Sequence, residues 1–428
     1  MIFLFPVVQG DRQTIVFGLL TDAARALFDP ALDEMLAALL IVSALLTPLY
    51  PLLRDTAVGR NLVVKRWFDV HWVWTALRVA GGVAAAMVYF GFGPEIVRGG
   101  DTGFVVFHDI CIAVMLVYMV SVFLMGLLTD YGLMEFLGAL VQKPFTAAFR
   151  LPGRSAIDAV ASLVSASGVG VLITIRQYEL GRYTAREACA ICTSFSIVSI
   201  PFALLISEVA DIDRVFFSWY MTLIVACIVA AMVVARIGPV SRKADLLVDG
   251  SRPAGDLDEL QGEGGALSRG FAAATARAGH GMSPGPYLRY SALQCGDLLL
   301  GILGPIMAIA TLASIIVFRT PVFDVLAMPI GWALELGGFP EAHAAAKGFV
   351  VGLLDQFMPA LVAQNLDSEY ARFVLGGLSV AQLIYFSEYG MLMLRSPLPI
   401  TIGDLVITFV LRTLVVTPVI MLGGALIL

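Results

Sequence analysis

The chain has 428 residues, 59% hydrophobic and 14% charged, against roughly 25% charged in soluble domains, and its mean hydropathy is +0.88. With apolar runs reaching the ~20 residues that a membrane span requires, this excludes a soluble globular protein and predicts an all-α, polytopic membrane protein. The net charge of −6 comes without any Lys/Arg-rich stretch interleaved with aromatics, which argues against nucleic acid as a partner, and the five cysteines give no disulfide framework.

In chain order, Met1–Val8 reads as the tail end of a hydrophobic segment and lacks the basic region of a signal peptide. Residues 14–28 predict an amphipathic surface helix. Spans are expected near 31–50, 70–92 and 104–128, with His108 and Asp109 solvated near the outer end of the third. A segment near 155–176 follows, with a short apolar arm, a Ser/Gly break and a second short arm. Spans near 186–207 and 214–235 come next; Cys189 and Cys192 within the first are small packing residues. Residues 236–290 hold Gly250-Ser-Arg-Pro253 and Gly262-Glu-Gly-Gly265 with scattered charge, and read as a solvated linker. A span near 292–318 and an interfacial helix near 322–338 lead to a second broken segment near 345–366. Spans near 371–389 and 401–427 complete the chain. The divisions are therefore 1–140 (N-terminal transmembrane helices), 141–236 (first repeat), 237–290 (linker), 291–340 (connecting helices) and 341–428 (second repeat).

Each short arm of about ten residues reaches roughly 15 Å, half of a ~30 Å hydrocarbon core, so both broken segments are expected as re-entrant hairpins. Charge tests this expectation. With both hairpins re-entrant, one side of the membrane receives 18 Lys/Arg and the other 7, with Arg78 and Arg412 inside spans. The richer side, which includes residues 236–290, is the cytoplasmic one. The first hairpin then enters from the cytoplasm and the second from outside, each followed by two spans. Ser196-Ile-Val-Ser199 also aligns with Ser379-Val-Ala-Gln382 at a shift of 183 residues. This is the pattern of an inverted-topology repeat, whose broken helices surround a transporter's binding site.

Ser155, Asp158, Ser162 and Ser165 recur at helical spacing and form one polar stripe. A carboxylate at that depth is costly and faces a cavity or a partner. Asp158 is thus a candidate for coupling a cation or binding solute, or it pairs with Arg154 and fixes the hairpin. At the tip, Ser165, Ser167, Gly168 and Gly170 offer hydroxyls and the free N–H groups of a starting helix, suited to a polar solute group, or else simply allow close packing. Asp355 and Gln356 precede Pro359, which frees a carbonyl upstream; a carboxylate with freed carbonyls suits Na⁺ or a proton relay. The alternative is that Asp355 caps the second arm. Thr193, Ser196 and Ser199 line one span ahead of the helix-breaking Pro201, and Ser379 and Gln382 line its counterpart, which is interrupted near Glu388. These residues are candidates for solute contact, or their hydroxyls bond back to their own helices. Arg412, within the last span, is expected to pair with Glu388 or Asp404. There is no HExxH, P-loop or GxSxG, so the chain is not read as an enzyme.

The runs Leu151-Pro-Gly-Arg-Ser-Ala-Ile-Asp158, Gly168-Val-Gly-Val-Leu-Ile-Thr174, Gly352-Leu-Leu-Asp355-Gln-Phe-Met-Pro359 and Arg372-Phe-Val-Leu-Gly-Gly-Leu-Ser379-Val-Ala-Gln382 resemble the YjiH-like membrane proteins. These belong to the nucleoside-recognition Gate-domain group, and the resemblance covers nearly the whole chain. The group includes concentrative nucleoside carriers with paired re-entrant hairpins around a central site and cation coupling. The resemblance implies that the hairpin tips and broken spans line a site here too. The expectation is a secondary transporter of a small polar solute, a nucleoside or related metabolite first, driven by Na⁺ or H⁺ without a bound cofactor. Its setting is the lipid of a bacterial inner membrane, with the linker in the cytoplasm. The alternative is a non-transporting subunit that assembles with a second Gate-type protein, or a homo-oligomer.

Overall fold

The first long helix begins behind Asp33 and Glu34, whose charges suit the positive end of the helix dipole, and runs through an apolar sequence. The computed structural model describes residues 6–9, 12–56, 59–129, 133–149, 151, 155–156, 167–195, 200–252, 265–279, 283–386 and 389–428. After a short hairpin of β1 (Pro6–Gln9) and β2 (Arg12–Ile15), the elements are helical. They are α1 (Val16–Phe28), α2 (Leu32–Leu53), α3 (Leu62–Phe68), α4 (Trp72–Phe90), α5 (Ile112–Thr129), α6 (Leu133–Phe149), α7 (Ser167–Glu179), α8 (Ala185–Ser194) and α9 (Ile200–Val209). Then come α10 (Phe216–Ile237), α11 (Ala266–Ala278), α12 (Pro284–Arg319), α13 (Val322–Leu336), α14 (Ala342–Val351), α15 (Met358–Ala363), α16 (Glu369–Ala381), α17 (Tyr389–Arg395) and α18 (Ile402–Ile427).

Among the described residues six stretches are helical, long and apolar enough to cross a membrane: Leu19–Leu53, Trp72–Phe90, Gly103–Leu124, Asp213–Ile237, Gly285–Arg319 and Ile402–Ile427. They match six of the eight expected spans. Leu45, Leu49 and Leu52 on α2, and Leu414, Leu422 and Leu426 on α18, are exposed large apolar side chains, as lipid-facing stripes require. The chain is an integral membrane protein.

The chain divides into two compact units. The first combines Thr14–Leu124 with Ser283–Met328 and is organised by α2, α4 and α12. Its helices meet through glycine. A Cβ at Gly81 would stand 2.0 Å from the Gly304 carbonyl oxygen, and one at Gly82 would stand 2.3 Å from Ala44 Cβ. Arg78 is buried in this packing and donates to Trp67 O at 2.7 Å and Thr47 Oγ1 at 3.3 Å. A π-helical segment, Val106–Cys111, carries His108, whose Nε2 lies 3.8 Å from Asp33 Oδ2. α12 starts eight residues before the expected span because Pro284 is preset for a first helical turn. Its 36 residues extend about 54 Å, well beyond the hydrocarbon core.

The second unit combines Met125–Met282 with Pro329–Leu428, and here short helices accompany two long ones. The expected span 186–207 is two helices, α8 and α9, of ten residues each. The expected span 371–389 is α16, which stops at Ala381, followed by a non-helical run to Phe386 and then α17. α10 and α18 are continuous and pack together, with α16 against both. The segment read as a plain linker carries structure. Its first residues lie across the start of α8, where Ala185 N–H donates to Leu246 O at 2.8 Å and Arg186 N–H to Ala244 O at 3.1 Å. Further on, α11 packs on α6, with Gly270 against Phe136.

Candidate functional site

The second hairpin turns where its sequence provides replacement bonds. α14 ends at Val351 and α15 begins at Met358, and the two arms pack together. Asp355 Oδ1 accepts the N–H of Phe357, the residue just before α15, at 2.8 Å. Pro359, the second residue of α15, has no N–H to leave unpaired. The next donor, Ala360 N–H, is capped from another helix by Ser379 Oγ at 3.0 Å. Asp355 therefore braces the residue just before the second arm, and Ser379 accepts a donor of the arm's first turn.

The end of α16 is joined to this turn. Beyond Ala381 the chain leaves the helical path, with Leu383 at φ +60°, a conformation rare for a bulky side chain. Phe386 N–H donates to Leu353 O at 2.9 Å, so the two irregular stretches share a backbone bond. Gln382 Nε2 donates to Phe349 O at 2.9 Å and to Thr413 Oγ1 at 3.0 Å. The amide thus serves a carbonyl in the last turn of α14, where helical partners run out. Gly352 is required for space: a Cβ there would lie 1.9 Å from Gln382 Oε1.

Arg412, on α18, reaches the same break from the other side. Its Nε donates to Ala381 O at 2.6 Å, and its Nη1 lies 3.4 Å from both Thr193 O and Ser194 O. The ends of α8 and α16 thus meet at one guanidinium. The expected pairing with Asp404 is replaced: Asp404 Oδ2 is 2.6 Å from Lys243 Nζ and also closes a capping box with Thr401. Its carboxylate is held by the first turn of α18, two turns away from Arg412.

Burial sets the electrostatic stakes. Asp355 is 7% exposed, Gln356 4%, Ser379 and Gln382 2% each, and Arg412 0%. In such a setting every polar atom needs a partner. At these breaks Gln356 Nε2, Gln382 Oε1, Ser194 Oγ and Arg412 Nη2 are buried side-chain atoms that have no hydrogen-bond partner among the described residues. Phe202 on α9 closes against Phe357 beside the turn, ring centroids 4.9 Å apart. Among the described residues no three His, Cys, Asp or Glu side chains are grouped to hold a metal ion.

Asp355, Gln356, Ser379 and Gln382 therefore come together at one pair of breaks, and Thr193 joins through its carbonyl. The Thr193 hydroxyl itself bonds back to Cys189 O at 2.8 Å. Ser167 and Gly168 open α7, and Gly170 follows in its first turn, buried, with its carbonyl accepting from Thr174 Oγ1 at 3.0 Å. Asp158, Ser165, Ser196, Ser199 and Glu388 lie outside the described residues. Three participants were not singled out from the sequence: Thr413, Ser194 and Gly352 as a spacer. Thr413 carried a usable signal, since it adjoins the lone arginine of its span.

A family profile described as Gate, nucleoside recognition, matches residues 110–212. An uncharacterized protein of Alkalihalophilus pseudofirmus is 38% identical over 421 residues, covering 98% of this chain and 90% of the relative. Among solved structures, a variant of CNTnw in an outward-facing state aligns over 96% of this chain and 98% of its own, at 13% identity and a TM-score of 0.46. Another CNTnw variant, in an intermediate state, aligns over 96% and 99%, at 12% identity and a TM-score of 0.46.

Proposed function

This chain belongs to the nucleoside-recognition Gate family, and from that premise we propose that it is a secondary transporter of a small polar solute. A nucleoside or a related metabolite is the first candidate. The solute moves by alternating access between two inverted repeats, coupled to Na⁺ or H⁺. The observation that carries this reading is the pair of helix breaks held together by Gln382, with Gln356 Nε2 and Gln382 Oε1 buried and unpartnered beside them. Broken helices at membrane depth are tolerated where they line a site, and orphaned amide atoms are suited to a solute's own donors and acceptors. In this reading Ser165, Ser167, Gly168, Gly170, Ser196, Ser199, Gln382 and Glu388 contact the solute. Thr193 and Ser379 contribute after exchanging their present bonds. Asp355, with Gln356 and Asp158, handles the coupling ion. The protein sits in a bacterial inner membrane with residues 236–290 in the cytoplasm, in keeping with the Lys/Arg bias.

The test is uptake into proteoliposomes of solutes selected by a thermal-shift screen of nucleosides, amino acids and dipeptides, with and without Na⁺. Asp355→Asn separates the roles cleanly, because an Asn oxygen still accepts the Phe357 N–H. Uptake is expected to fall tenfold or more, an order-of-magnitude figure for losing one charged contact, while stability changes by less than about 1 kcal/mol. Uptake unchanged by that substitution removes Asp355 from the coupling role.

One observation favours the alternative, a non-transporting subunit assembled with a second Gate-type protein or with further copies of itself. The Ser379 and Thr193 hydroxyls are already engaged within the protein, and Asp355, Gln356, Ser379 and Gln382 are buried. Absence of any solute-induced thermal shift, together with co-purification of a second membrane protein, would decide for it.

A further inference from the structure

Among the described residues of the second unit Arg412 is the fully buried cation, and what surrounds it is unusual. A guanidinium stays protonated in a protein, and a charge at membrane depth demands compensation. Among the described residues no carboxylate supplies it; Asp404, on the same helix, is held by Lys243. The partners are main-chain oxygens of Ala381, Thr193 and Ser194, with the Cys227 thiol alongside. Ala381 is the last residue of α16, and Thr193 and Ser194 are the last two of α8. Two helices therefore direct their carboxyl ends at one positive group. Each such end carries the equivalent of roughly half a negative charge, so the two together balance about one cation.

Carbonyls freed at the ends of half-helices are the ligands that membrane carriers offer to Na⁺. Here a side chain already fills the place. We propose that Arg412 is a tethered cation: its guanidinium occupies a carbonyl cluster, formed where α8 and α16 break, that otherwise accepts a free monovalent cation. The cluster is permanently loaded, and it holds the two broken helices together whether or not an ion is in solution. Its bearing on coupling rests on the transport reading: the driving ion then acts elsewhere, at Asp355, and not at this cluster.

Removing the side chain turns the cluster into a vacant cation site. The experiment is thermal unfolding of the purified full chain in detergent, as wild type, Arg412→Ala, Arg412→Gln and Arg412→Lys. Each is measured in low-millimolar guanidinium, Na⁺, Li⁺ or K⁺ against choline at equal ionic strength. The Ala and Gln variants are expected to melt well below wild type in choline and to regain several degrees with guanidinium or a small monovalent ion, by mass action on the folded form. Wild type and Arg412→Lys are expected to show no such gain. A folded Ala or Gln variant that responds no better to these cations than to choline overturns the proposal. If neither neutral variant folds, Arg412→Lys decides: near-wild-type stability supports a site for charge, and its collapse overturns it in favour of guanidinium packing alone. Wild-type uptake is measured in parallel. If no solute is carried, the transport reading fails while the melting data still judge the cation site.

Discussion

In the unit organised by α2, α4 and α12, long helices run unbroken and approach each other through glycine. In the unit that holds α14, α15 and α16, these helices stop halfway beside the continuous α10 and α18, and side chains take over the bonds that a continuous helix would make for itself. The difference follows from the medium. Without water, each main-chain group must be satisfied inside the protein. An intact helix does this internally and needs only close packing from its sequence. A broken one leaves donors and acceptors at each end, and Asp355, Ser379, Gln382 and Arg412 fill those positions one by one. Two buried arginines, Arg78 and Arg412, repeat the contrast. Arg78 bonds one carbonyl in the last turn of the short α3 and a threonine hydroxyl, whereas Arg412 joins the ends of two helices.

If that contrast is right, substitutions in the two units fail differently. The largest effect is expected for Gly81→Leu. Even its Cβ meets the Gly304 carbonyl at 2.0 Å, an obstacle of backbone and not of a flexible side chain. A loss of about 3 kcal/mol or more is expected, read as a large drop in melting temperature and loss of a monodisperse peak. Next is Gly352→Ala. Its Cβ displaces the Gln382 amide and breaks two hydrogen bonds, at a cost of about 1–3 kcal/mol. Combined with Gln382→Ala, the double variant is expected to lose clearly less than the sum, because the clash goes with the amide. Strict additivity would mean that Gly352 serves something other than Gln382. The smallest effect is expected for Lys243→Met. The Lys243–Asp404 pair is partly exposed and the Thr401–Asp404 capping box survives, so the change stays under about 1 kcal/mol.

The sequence disclosed the continuous helices well, because an apolar run of span length leaves few alternatives. It also located the turn at Asp355–Pro359, where a proline and a carboxylate interrupt the run. It read less of α16, whose helix ends at Ala381 and not near Glu388. The residues from 382 to 386 look helical locally, and what diverts them is a bond from Phe386 to Leu353, 33 positions away. The partners of Arg412 were hidden for a related reason. Main-chain carbonyls have no letter in a sequence, which offers Glu388 and Asp404 as counter-charges; Asp404 is engaged by Lys243, and Glu388 lies outside the described residues. Helix α11 was missed because its Ala-rich run between glycines has little apolar periodicity, and its packing on α6 is a tertiary contact.

The short strap at residues 244–246 bears on protein engineering. Its carbonyls supply the amides of Ala185 and Arg186, which open α8, and its neighbour Lys243 binds the first turn of α18. Shortening the connection between α10 and α12, or splicing a reporter into it, should therefore spare everything up to residue 246. Amide protons at 185 and 186 should exchange slowly for a first helical turn, and they offer a direct readout of whether any such graft has left the strap seated.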